Sequence, residues 1–136
     1  MVTLMACAAC TVNAGTPPDA GACAASPDFF VSDVWPRYLA ANACITAGCH
    51  AFDDGHGYLR LRAPESPPAP GTPIAGWPIG WRTNYLSAIQ LVSCDAPAMS
   101  RLLTVPEGDG NLHPPGPVVL DRTTATDVVT AWLRAP

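Results

Sequence analysis

The chain has 136 residues, 49% of them hydrophobic, and a formal charge of −4 from 11 acidic residues against 7 basic ones, which is enough for one modest core and too little for two. The basic residues are all arginines and are scattered, which argues against nucleic acid as the partner, and 16 prolines with 11 glycines imply long irregular connections between few regular elements. Six cysteines point to an oxidising space, the periplasm or the cell surface, rather than a reducing cytosol.

At the N-terminus Leu4-Met5-Ala6-Cys7 resembles a bacterial lipoprotein processing site, where a small residue precedes the cysteine that becomes lipidated. Six residues stand before Cys7, too few for the charged start and apolar stretch of a signal peptide. Membrane attachment through a lipidated Cys7 is therefore one expectation, and an accidental likeness the other. Residues 8–27 are mostly Ala, Gly, Thr and Pro without apolar periodicity, the composition of a flexible tether. Residues 1–27 are thus expected to be a lipobox-like start and tether, and residues 28–136 the folded domain.

Over residues 28–44, Phe29, Phe30, Val34, Trp35, Tyr38 and Leu39, continued by Ile45, recur at three- and four-residue steps. This predicts a helix with one buried face, capped by Ser26, Asp28 or Ser32. Pro36 is tolerated only in a first helical turn, so the spacing predicts a start near Ser32 with Phe29 and Phe30 packed ahead of it. Residues 63–81 hold six prolines and three glycines beside Trp77 and Trp81, which predicts an ordered loop lying over something apolar. Tyr85, Leu86, Ile89 and Val92 predict a short helix over residues 84–92, and residues 95–103 a short turn with Pro97 near its start. Residues 106–117 are turn-rich. A terminal helix is predicted over residues 121–133, capped by Thr123 or Thr124, with Val128, Val129, Trp132 and Leu133 on its apolar face.

The informative segment is Cys44-Ile45-Thr46-Ala47-Gly48-Cys49-His50. Covalent haem attachment needs two thiols that add across the two vinyl groups of a porphyrin, followed at once by a histidine whose imidazole meets the iron. That order is present with four intervening residues instead of two. The extra residues must bow outward, which Gly48 eases. Three other readings compete: a local Cys44–Cys49 disulfide, a zinc site disfavoured by the adjacency of Cys49 and His50, and a thioredoxin-like pair that lacks the two-residue spacing. Of the remaining cysteines, Cys10, Cys23 and Cys94, a Cys23–Cys94 disulfide is the first choice because it would tie the start of the domain to its middle.

The order of an aromatic-rich helix, CITAGCH, Gly57-Tyr58-Leu59-Arg60-Leu61, Ser100-Arg101-Leu102-Leu103, a histidine in a Gly/Pro loop and a terminal helix with Ala131-Trp132-Leu133 resembles envelope cytochromes c of the CX4CH variant, over about residues 29–136. The resemblance implies a mainly α, cytochrome c-like fold, with N- and C-terminal helices packed together and loops enclosing one covalent haem c. It implies His50 as proximal iron ligand and His113 as distal, since such cytochromes place the distal residue in a loop before the last helix. Met99 is the alternative ligand, more often core filler in such a setting, and His56 lies too near His50 to reach the other face. Two histidines would leave no substrate position, so the expected role is electron transfer with redox partner proteins, not catalysis. The alternatives are a disulfide-held secreted binding module without haem, and a haem enzyme or sensor with an open sixth position.

Overall fold

The computed structural model describes residues 25–46, 49–53, 55, 57–107 and 121–135. The expectations placed on the lipobox, on the tether as far as residue 24, on Cys7, Cys10 and Cys23, on Gly48, on His56 and on His113 lie outside the described residues, whereas residues 25–27, expected as tether, join the fold: Ala25 is buried, Ser26 caps the first helix and Pro27 begins it. The described chain is mainly helical, and among these residues the sole strand-like pairing recorded is a parallel bridge between Ala51 and Leu61.

Helix α1, Pro27–Phe29, starts where Ser26 accepts from the Phe29 N–H (3.4 Å), with Pro27 in the first turn where its missing N–H costs nothing. It runs directly into a π-helical segment, Phe30–Ala40, that contains Pro36. The expected start near Ser32 is thus corrected: the helix begins five residues earlier, at Pro27, and passes through the proline. In an α-helix the Pro36 ring would meet the Ser32 carbonyl. The wider π turn shifts each acceptor back by one residue and makes room for it. One face, with Phe30, Val34, Trp35, Tyr38 and Leu39, is buried.

The far end of this segment closes with the paired bonds of a Schellman cap. The Cys44 N–H donates to the Leu39 carbonyl (3.1 Å) and the Ala43 N–H to the Ala40 carbonyl (3.0 Å). Ala43 takes the left-handed conformation (φ 53°) that glycine normally supplies at this position. This cap turns the chain so that Cys44 enters the core.

The Pro-rich stretch after residue 63 does lie over an apolar surface, but it is shorter than expected. It carries a 3₁₀ turn, Ile74–Gly76, and gives way at Ile79 to helix α2, Ile79–Ile89, so Trp81 belongs to a helical first turn and not to a loop. The predicted helix over 84–92 is corrected accordingly. Trp77 packs edge-on against Tyr85 (5.7 Å between centroids) and Trp81 against Trp35 (5.7 Å). Both indole N–H groups are satisfied by backbone carbonyls, Thr72 (2.8 Å) and Glu65 (2.9 Å).

A second 3₁₀ turn, Pro97–Met99, leads into helix α3, Arg101–Thr104, as the sequence predicts. Helix α4, Arg122–Arg134, is capped by Asp121, whose carboxylate accepts from the Thr124 N–H (3.0 Å), and not by either threonine. A carboxylate at the N-cap also meets the positive end of the helix dipole, which a hydroxyl does not match. Ala125, Val128, Val129 and Trp132 face the core, while Leu133 is only half-buried. Helix α4 packs mainly on the π-helical segment. Trp132 is central there, touching the rings of Phe30 (5.4 Å) and Tyr85 (6.0 Å) and donating its N–H to the Ser26 carbonyl (3.0 Å). The first and last helices of the described chain therefore share one core.

Candidate functional site

The CX4CH segment follows the Schellman cap directly. Cys44, Cys49 and His50 line one pocket of about 90 Å³ together with Tyr38, Leu39, Leu59, Leu102 and Pro106. Of the two thiols that line it, Cys44 is buried and Cys49 exposed. This volume is below the roughly 300–1,000 Å³ typical of small-molecule pockets.

Both thiols are free, so the competing local disulfide is not formed. Burial pushes the Cys44 thiol up to about 11 from 9.0, with a smaller contribution from the neighbouring Cys49. At neutral pH Cys44 is therefore a protonated thiol, unlike the depressed thiolate of a redox-active or metal-binding cysteine. Among the described residues no cluster of three or more His, Cys, Asp or Glu side chains is placed to hold a metal ion, and the zinc reading has no support there. Cys94 is disulfide-bonded, as expected, to a partner outside the described residues.

His50 is held by the strand-like segment around Leu59. Its ring Nδ1 lies 3.2 Å from the Leu59 carbonyl, and the Leu61 N–H donates to the His50 carbonyl (2.8 Å). A carbonyl can only accept, so in this bond Nδ1 is the donor. Behind His50 the chain makes a tight turn. The Gly55 N–H donates to the Ala51 carbonyl (2.7 Å), and a Cβ at Gly55 would lie 2.6 Å from the His50 carbonyl carbon, so only glycine fits. The Arg60 guanidinium closes the same turn on the Gly55 carbonyl.

Tyr38 forms a polar floor. Its hydroxyl donates to the Leu102 carbonyl, and burial raises its pKa, with Cys44 and Glu107 adding to the effect. Glu107 is itself buried beside the pocket. One carboxylate oxygen pairs with Arg122 (2.9 Å), and the other is buried without a hydrogen-bond partner among the described residues. The pair thus joins the residues on either side of 108–120.

Met99, the alternative ligand, is 66% exposed and does not line the pocket. Sequence reasoning missed Leu59, Asn84 and Ser87. Leu59 acts through its backbone, which no side-chain pattern reveals. Asn84 and Ser87 left a signal: they are polar residues one helical turn apart on what should be an apolar face.

Two thiols and an oriented imidazole along one apolar wall can anchor a flat group by its edge and offer a nitrogen ligand to it. Compared with models of protein families, with curated proteins and with solved structures, the chain matches none.

Proposed function

We propose that the chain carries one covalent c-type haem on Cys44, Cys49 and His50 and works as a single-haem electron carrier in an oxidising cell-envelope compartment. The observation that carries the reading is the convergence of both thiols and the Nδ1-bonded imidazole on one apolar pocket. The residues present fit the group. In each attachment a protonated thiol adds across a vinyl double bond, sulfur to one carbon and hydrogen to the other, and the buried Cys44 is held in the protonated form. Haem, when bound, supplies a one-electron iron couple whose potential depends on its axial ligands and the polarity around it.

The chain's own part is positional. The Leu59 carbonyl holds Nδ1 of His50, which keeps Nε2 as the ligating nitrogen and increases its basicity. The apolar walls from Leu39, Leu59 and Leu102 limit access of water. His113 is the proposed distal ligand: Met99 faces solvent, and the segment bearing His113 departs next to Pro106, a residue of the pocket wall. With two histidines the work is outer-sphere transfer to redox partner proteins rather than catalysis. The Cys94 disulfide supports an oxidising location, periplasmic or cell-surface.

The test is the visible spectrum of the full-length protein produced with a haem-attachment apparatus. A Soret band that survives acid acetone extraction is expected. Its absence would turn the reading to a disulfide-held binding module. Carbon monoxide added to the reduced protein should bind poorly, and rapid binding would indicate an open sixth position.

A further inference from the structure

Residues 58–62 run as an irregular strand-like segment that makes one isolated parallel bridge, Leu61 with Ala51, and among the described residues its other edge meets helix α2. Backbone groups of alternate residues in a strand point to opposite edges. On one edge the Leu59 carbonyl meets His50 Nδ1 (3.2 Å), and the Leu61 N–H donates to the His50 carbonyl (2.8 Å). On the other edge the groups of residues 58, 60 and 62 meet two side chains of α2. The Arg60 N–H donates to Ser87 Oγ (2.6 Å), and the Ser87 hydroxyl donates to the Tyr58 carbonyl (3.1 Å). The Arg62 N–H donates to Asn84 Oδ1 (2.7 Å), and Asn84 Nδ2 donates to the Arg62 carbonyl (2.9 Å).

Four backbone bonds that a neighbouring strand would ordinarily supply are thus made by one amide and one hydroxyl, three residues apart on a helix. Asn84 is completely buried and Ser87 nearly so, so neither exchanges these partners for water without cost. The strand's position between His50 and α2 is fixed from both sides. A shift along its length would break the α2 bonds and withdraw the Leu59 carbonyl from the imidazole together.

We propose that Asn84 and Ser87 are positioning residues for His50: acting through the 58–62 strand, they set which imidazole nitrogen carries the proton and how firmly that proton is held. The consequence for an iron potential rests on the haem reading; the consequence for the tautomer does not.

The experiment compares full-length wild type with Ser87→Ala, Asn84→Ala, Ser87→Thr and Val128→Ala. Val128 is a buried residue of α4 outside this network, so its variant controls for lost stability. Nitrogen-15 spectra of the His50 ring and solvent exchange of its Nδ1 proton are read in each, with the midpoint potential of the haem-loaded protein. Both alanine variants should quicken Nδ1 proton exchange about fivefold, the weight of one weakened hydrogen bond. They should also raise the potential, since a less basic imidazole stabilises the oxidised iron less. Ser87→Thr, which keeps the hydroxyl, should restore wild-type values. Val128→Ala should lower Tm without moving either readout. If the alanine variants lose stability but keep the wild-type His50 signals, the two residues only hold the fold and the proposal is overturned. If the wild type holds no haem, the haem reading fails, and the nitrogen-15 and exchange data still decide this one.

Discussion

Ala43 shows how much one backbone conformation does at this site. Its left-handed turn directs Cys44 inward, yet alanine gives no sign of it in the sequence, where glycine would have. A left-handed alanine is strained by about 1–2 kcal/mol. Ala43→Gly relieves that strain but frees the unfolded chain, so the net gain should be about 0.5–1 kcal/mol, read as a higher urea midpoint. Cys44 is the second residue whose environment matters more than its identity. Its thiol rises to about 11 in the fold from 9.0, so the folded haem-free chain keeps a proton that the unfolded chain gives up first. Its contribution to stability is full below pH 9.0 and is lost as the pH climbs toward about 11. Urea melts of the haem-free protein at rising pH should show that loss, and Cys44→Ser should remove its share of it. The order of Cys44, Cys49 and His50 was legible, as was their chemistry; the Leu59 carbonyl that orients the imidazole was not, because it is a backbone group and no side-chain pattern marks it.

Helices were legible where their buried faces are apolar and obscured where a buried face is polar. Apolar spacing placed α4 to within a residue or two, and missed its cap because Asp121 outcompetes the two threonines after it. The Asp121 carboxyl is held below its ordinary 3.8 by the Thr124 backbone and side-chain bonds. The stability it confers is therefore complete above pH 3.8 and is lost as the pH falls through the lower folded value. Thermal melts from neutral to strongly acidic pH should show Asp121→Ala less stable at neutral pH and flatter in acid. Asp121→Asn should keep the cap but lose that acid dependence. In α2 the face turned to the strand carries Asn84 and Ser87, which interrupts the apolar stripe. The first turn, with Trp81, reads from sequence as loop because Pro78 and Gly80 stand at the end of a Pro- and Gly-rich run, although a proline directly before a helix is tolerated. Pro36 misleads in the opposite direction, since the rule that proline ends a helix holds for α geometry and the segment is π.

For the whole molecule, the apolar content and the two flanking helices indicated one core, and the described residues share one. The far side of the iron is the part that depends on residues outside that description. His113→Ala should change both the spectrum and the midpoint potential of the haem-loaded protein, while Met99→Ala, at an exposed position, should leave both unchanged. The reverse pattern would exchange the two assignments. Attachment itself is tested most directly by proteolysis and mass spectrometry of the full-length protein made with a haem-attachment apparatus. One haem should be found on the peptide containing both Cys44 and Cys49, and it should be lost from the double variant Cys44→Ser/Cys49→Ser. An unmodified peptide, or one whose two cysteines are joined to each other, would contradict covalent haem at this site.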